Sequence, residues 1–387
     1  MLKSHFPFNN YWIYLTIVLS IVANACIEPY EADINGDVEL ISIEGSIIKG
    51  NPAQHVSIST TTSLLEKEFK PIRGCEVKVV DDLNNEFLFE ENTIGKYESV
   101  IADNNLVYNR QYKLMITTPK GDKYESLFET LNISNKIDTL YYDIEKKIET
   151  YSGEELEGLQ FYIDIKAPDS ISRYFRWNLT ETYEYTTTGY ISMIVRIGPD
   201  TIETYVPADR WEVYRCWMSN EVQGIYLSNT TNITVNEKKK IPLNYVSTMG
   251  DRLKIKYSLL VNQYSLSEGA YKYWQQNKIA IEDSDGLYTT QPGQAFTNLH
   301  SVNNTEEKVL GYFWASSMTE SRIIIPRINS LVVTEEICYI AEYDPRLHKS
   351  LPRYFRIEES GLLVTGHPNC FDCTLRGGTI TKPDFFY

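Results

Sequence analysis

Histidine is scarce in this chain: five in 387 residues, namely His5, His55, His300, His348 and His367. No two lie close together and no H-E-x-x-H occurs, which excludes the helical zinc-hydrolase motif. G-x-S-x-G, the P-loop and G-x-G-x-x-G are also missing. Their absence removes the nucleophile elbow, the phosphate-cradling loop and the dinucleotide fingerprint. Positive charge is outweighed as well. Lys and Arg total 37 against 52 Asp and Glu, for a formal net charge of -15. Such a balance offers no electrostatic footprint for nucleic acid or for an anionic lipid surface. No catalytic, cofactor-binding or metal-ligating residue is assigned, and a non-enzymatic protein is expected. Internal repeats and low-complexity segments are lacking too.

The start of the chain is informative. A mixed segment with Lys3 is followed by an apolar run, Tyr11-Trp12-Ile13-Tyr14-Leu15-Thr16-Ile17-Val18-Leu19-Ser20-Ile21-Val22, ending in Ala23-Asn24-Ala25-Cys26. This is the layout of an export signal. The run falls short of the roughly 20 apolar residues that a spanning helix needs. Ala23-Asn24-Ala25-Cys26 resembles a lipobox, although Ala23 stands where Leu is typical. Residues 1–25 are therefore expected to be a cleaved signal peptide. Cys26 is expected to become the acylated first residue, with palmitate-type chains entering a bilayer. Cleavage would remove Lys3 and no acid, leaving the remainder one charge more negative. Residues 26–37, with Glu28, Glu31 and Asp33, read as an acidic tether.

Six cysteines are present: Cys26, Cys75, Cys216, Cys338, Cys370 and Cys373. Cys75 lies in Gly74-Cys75-Glu76-Val77-Lys78-Val79-Val80, an alternating strand, and reads as a small buried residue. Cys216, Cys338, Cys370 and Cys373 are disulfide candidates in an exported protein, with three pairings open. Cys370-Phe-Asp-Cys373 also has metal-like spacing, but the second half of a zinc ribbon is missing.

From Val38 onward the pattern is strand-like. Alternating segments appear at 38–45, 56–60, 75–80, 86–89, 95–100, 112–116 and 123–126, with turns at Asp81–Asn85 and Gly121-Asp122. Short strands at this spacing predict an Ig-like or transthyretin-like β-sandwich over 38–132. A second mainly-β domain is expected over 133–387. Its strands include Thr139–Ile144, Leu159–Lys166, Tyr174-Phe-Arg-Trp-Asn-Leu-Thr, Leu253–Leu260, Val309–Ala315 and Ser321–Ile325. One helix, 266–282, interrupts them. Ser265-Leu266-Ser267-Glu268 has capping-box spacing. Ala270, Tyr271, Trp274, Lys278 and Ile281 then form a stripe, read as packing. The 29 tyrosines fit half-buried sheet surfaces and binding surfaces alike.

Weaker signals complete the reading. Asp283-Ser284-Asp285-Gly286 matches part of a calcium loop but lacks the later ligands, so a turn is expected. Glu154, Glu155 and Glu157 fall in an expected loop. Asp138-Thr139-Leu140, Asp169-Ser170-Ile171 and Asp200-Thr201-Ile202 resemble the O-glycosylation acceptor of Bacteroidota.

Several stretches together carry a resemblance. They are Gly74-Cys75-Glu76-Val77, Gly95-Lys96-Tyr97, Tyr112-Lys113-Leu114, Gly121-Asp122-Lys123-Tyr124-Glu125-Ser126 and Ile137-Asp138-Thr139-Leu140. The helix with Tyr271 and Trp274, Gly311-Tyr312-Phe313, and the tail Cys370-Phe-Asp-Cys373-Thr-Leu-Arg-Gly377-Gly378 to Phe386 join them. With Cys26, these residues resemble the Bacteroidota lipoprotein family known as domain-of-unknown-function family 4249. Cys75 stands where the family usually has Ala, and Phe386 where it often has Trp. The resemblance implies an outer-membrane lipoprotein, lipid-anchored and facing the cell surface, with the periplasmic face as the other option. It implies a neighbouring TonB-dependent receptor and no known activity. The expectation is an accessory or binding partner of such a transporter in nutrient uptake. A surface hydrolase of glycans or peptides is the alternative, since two catalytic carboxylates need only converge in space. A structural or adhesive surface protein is the third reading.

Overall fold

The computed structural model describes residues 39–61, 70–148, 153–199, 201–283, 296–334, 338–346 and 350–387. The expected signal peptide, Cys26, the tether and residues 284–286 of the calcium-like loop lie outside them. So does His348. Every element below belongs to one unit of residues 40–61 and 68–387.

The alternating N-terminal segments form strands. β1 (Ile41–Lys49) and β2 (Ala53–Thr60) make a hairpin, with the short β3 (Lys70–Pro71) beside β2. β4 (Glu76–Asp81), β5 (Glu86–Thr93) and β6 (Lys96–Val100) follow, then β7 (Gln111–Thr117), β8 (Lys123–Ser126) and β9 (Glu129–Thr130). The hydrogen-bonded order β1-β2-β6-β5-β4-β7-β8 is antiparallel throughout. Period-two alternation sends Ile43, Val56, Ile58, Val79, Tyr97 and Leu114 into a common core. Cys75 joins that core as a free thiol. Its backbone N–H donates to the Tyr97 hydroxyl at 2.9 Å, and that hydroxyl donates to the Ile72 carbonyl at 3.0 Å.

The second half adds longer strands. β10 (Thr139–Ile148), β11 (Glu155–Lys166), β12 (Tyr174–Thr186), β13 (Met193–Ile197) and β14 (Ile202–Tyr205) come first. β15 (Arg215–Glu221), β16 (Tyr226–Asn229), β17 (Glu237–Ser247) and β18 (Lys256–Leu266) follow. After helix α1 (Glu268–Asp283) come β19 (Leu299–Ser301), β20 (Val309–Pro326), β21 (Ile340–Glu342), β22 (Tyr354–Ile357) and β23 (Leu363–Gly366). The sheet β10-β11-β17 packs its Leu159, Phe161 and Val246 against Phe175, Trp177 and Leu259 of the β12-β18-β20 layer. The protein is therefore mainly β, as expected, with two sandwich-like cores and one substantial helix.

β20 belongs to both cores. It pairs antiparallel with β18 over its second half and parallel with β1 over its first. Phe313 and Ala315 enter the first core, and Ile325 enters the second. β19 likewise pairs with β8. The division expected at 132/133 is thus not the edge of the first core, because residues 299–315 return to it. Gly311 allows the close approach to β1. Its φ is +94°, and a Cβ there would sit 1.9 Å from the Ile43 carbonyl oxygen.

The helix also differs in detail from expectation. Ser265 and Leu266 remain in β18, and Ser267 is the cap, accepting from the Ala270 N–H at 3.1 Å. Ala270, Tyr271 and Tyr273 are buried, whereas Ile281 is 61% exposed. The four candidate cysteines form two disulfides, Cys216–Cys373 and Cys338–Cys370. The Cys370-x-x-Cys373 pair is thereby split between two partners, which removes the zinc alternative.

Candidate functional site

The β12-β18-β20 layer has two unlike faces, and strand periodicity creates both. Phe175, Trp177 and Leu179 point into the second core. Arg176, Asn178 and Thr180, one residue out of step, line a cavity of about 910 Å³ on the other side. Register extends this face across the sheet. Arg176 stands opposite Tyr264, which stands opposite Met318. Further along, Tyr312 pairs with Glu44, Glu44 with Ser57 and Ser57 with Lys96. The floor therefore runs from β12 through β18, β20, β1 and β2 to β6. Tyr273 and Trp274 of α1 and the segment Glu221–Gly224, which begins at the last residue of β15, join the lining.

Aromatic rings form one wall. Trp274 meets Trp314 edge-on at 6.5 Å, and Trp314 meets Tyr264 edge-on at 5.5 Å. Tyr273 stacks on Tyr312 at 5.3 Å. Hydroxyls fix two of these rings. Tyr273 donates to Glu44 Oε1 at 2.8 Å, and Tyr312 donates to Glu129 Oε1 at 2.6 Å. The reading of the helix stripe as packing holds for Ala270 and Tyr271, while Trp274 faces the cavity.

Arg176 is the least exposed charged group of a lining that also holds the exposed Lys96. Its guanidinium carbon lies 3.7 Å from the Trp274 ring centre and 5.6 Å from that of Trp314, a cation–π arrangement. Burial pulls its pKa from the ordinary 12.5 down to about 10, against smaller upward pushes from Tyr264 and the Glu44 carboxylate. Buried Nε has no hydrogen-bond acceptor. Two further buried polar atoms of the lining are also unsatisfied, Trp274 Nε1 and Asn262 Oδ1. A buried polar atom without a partner costs about 1–3 kcal/mol, and most native proteins avoid it. Three of them lie around one cavity, so its lining offers polar atoms that the protein's own groups do not pair. Glu44 and Glu221, by contrast, are exposed carboxylates of the same lining.

Of the histidines, exposed His55 lines this cavity, and the motif residues Lys96, Tyr97 and Tyr312 line it too, whereas the carboxylate cluster lies elsewhere. Glu155 and Glu157 stand at the start of β11, flanking Lys146 at 3.7 and 3.9 Å. Among the described residues no group of His, Cys, Asp and Glu could hold a metal ion. Thr139 and Ser170 of the acceptor-like triplets are exposed, and Asp200 lies outside the described residues. Among the described residues no helix is long and apolar enough to cross a membrane. Arg176 was not singled out from the sequence. Its signal was the polar side of Arg176, Asn178 and Thr180 on an otherwise aromatic strand.

Fold and site together define a mainly-β protein with a polar, aromatic-walled cavity between its cores. The chain matches the family described as "Domain of unknown function (DUF4249)" over residues 27–322 and belongs to it. The tail motif at Cys370–Phe386 lies beyond the matched residues. No curated protein matches the chain.

Proposed function

We propose that the protein is a non-enzymatic binding lipoprotein of the outer membrane, anchored through acylated Cys26 at the cell surface and serving a TonB-dependent transporter. The cavity carries the binding part of this reading. Its 910 Å³ falls within the roughly 300–1,000 Å³ typical of small-molecule sites. It also holds polar groups that the protein itself does not satisfy. The export-type start and Cys26 support the anchor, and the resemblance supports the transporter. The test is capture of the tagged full chain from native outer membranes. Co-isolation of a β-barrel is expected, together with release of the protein from membranes on Cys26→Ala. Recovery of the protein without any barrel would remove the transporter from the reading.

A surface hydrolase is the second reading, favoured by one observation: Glu44 and Glu221 share the cavity. Release of products from surface glycans or peptides, abolished by Glu44→Gln or Glu221→Gln, would establish it in place of the first.

A further inference from the structure

The cavity carries more than capacity; it carries a chemical preference. Arg176 uses its flat face against Trp274, which leaves its edge for hydrogen bonding. That edge has no protein acceptor at Nε, and among the described residues no carboxylate pairs with the guanidinium. Glu44, the carboxylate that acts on Arg176 through space, accepts from the Tyr273 hydroxyl at Oε1. Trp274 Nε1 adds a second unpartnered donor beside it, and Asn262 Oδ1 adds an acceptor. Around them stand side chains suited to hydroxyl groups: Asn51, Asn92, Asn178, Ser46, Thr180 and Gln223.

We propose that this cavity holds a small, hydroxyl-rich acid, such as a uronic-acid saccharide, with its carboxylate gripped by the Arg176–Trp274 pair. The inference rests on the ligand-binding reading and narrows it to a chemical class. A planar guanidinium edge matches a carboxylate two-to-two, and charge-assisted bonds of that kind are about twice as strong as neutral ones. A neutral ligand would fill the space but leave the Arg176 guanidinium unpaired. A bare oxyanion would answer the cation but leave the amide and hydroxyl lining unused.

The experiment is calorimetric titration of the detergent-solubilised full chain with digalacturonate, with its neutral diamide and with inorganic phosphate. Digalacturonate is expected to bind more than tenfold tighter than the diamide. That preference should vanish in Arg176→Met, survive in weakened form in Arg176→Lys, and fall in the isosteric Asn262→Asp, which sets a carboxylate beside the site. The last two variants keep the question decidable if Arg176→Met does not fold. Equal binding of acid and diamide, or a preference that these variants leave untouched, overturns the inference while the ligand-binding reading stands. Tight phosphate binding without uronate binding overturns the hydroxyl-rich part. Binding of none of the three overturns the inference outright. If barrel capture is then also unchanged by the cavity-filling Ser46→Trp, the ligand-binding reading fails with it.

Discussion

The two faces of the β12-β18-β20 layer are built from alternate residues of the same strands, yet they obey opposite rules. On one face Phe175 and Trp177 stack at 6.3 Å, and the Trp177 indole N–H donates to Gln263 Oε1 at 3.0 Å. Apolar area is removed from water there, and the polar atom on that face is satisfied. On the other face Arg176 is crowded by protein, its Nε has no acceptor among the described residues, and Glu44 acts on it only through space. The contrast teaches where free energy has been left unrecovered. Apolar burial stabilises the first face, and the second carries the polar atoms that the protein's own groups leave unpartnered.

Two tryptophans, one on each face, separate the faces most sharply. Trp177→Ala should cost about 3–5 kcal/mol of unfolding free energy in denaturant titration, as for other fully buried aromatic truncations. Trp274→Ala, on the cavity face, should cost far less and instead weaken ligand binding. Similar losses at both positions would mean that the cavity face is simply a second core. Next in size is the cross-link at the far end of the inner face. There the Tyr185 hydroxyl donates to the Cys373 carbonyl at 2.7 Å, and Cys373 is bonded to Cys216. The double substitution Cys216→Ser with Cys373→Ser should lower stability by about 2–4 kcal/mol. The melting temperature should fall to match, with the cavity's ligand preference unchanged.

The sequence reveals these faces unequally. Strands joined by tight turns are legible, because alternation and turn residues are local. Gly121-Asp122 marks the β7–β8 turn, and the Thr118 N–H indeed donates to the Asp122 carbonyl at 2.9 Å. The parallel β1–β20 pairing is not legible, since no local connection encodes it and only the glycine at 311 hints at a close approach. The set of disulfide candidates is readable from the cysteine count and the export-type start, but the pairing is a property of the tertiary fold. Arg176 is hidden for another reason. A polar residue on an alternating strand looks the same whether it faces water or a cavity, and only the helix laid over β12 and β20 distinguishes the two.

Arg176 itself supplies the third expected outcome. A guanidinium brought from 12.5 to about 10 corresponds to about 3 kcal/mol of unfavourable burial of the charged form, at 1.36 kcal/mol per tenfold. Part of that is inseparable from the stacking on Trp274. Arg176→Met should therefore raise the unfolding free energy of the ligand-free protein by about 1–3 kcal/mol. The sign follows from linkage. Below about pH 10 both states hold the proton and the cost to the native chain is complete. Between there and 12.5 the native state loses its proton first, and the cost is relieved. The gap between variant and parent should be flat from pH 7 to 9 and narrow above 10, as measured by denaturant titration at each pH. A destabilised Arg176→Met would show that the cation supports the fold rather than awaits a partner.

The smallest expected effect sits where the two faces share a residue chain. Tyr312 lines the cavity, and its hydroxyl is held by Glu129, a buried carboxylate whose Oε2 has no partner. Burial raises the pKa of Glu129, against hydrogen bonds from Tyr312, Ser267 and Asn298 that lower it. An acid raised in the native state holds its proton longer there than in the unfolded chain. Its ionisation therefore weakens the fold as pH climbs through the ordinary carboxylate range toward the raised value. Glu129→Gln keeps an acceptor for Tyr312 and abolishes that loss, so it should gain about 1 kcal/mol at pH 8 and nothing below pH 4. Because Tyr312 stays in place, acid-ligand affinity should not change. A variant that gained stability yet lost affinity would show that the Glu129–Tyr312 pair sets the shape of the cavity wall as well as closing the helix onto β20. The clean separation between a stabilising face and a binding face would then fail at this residue.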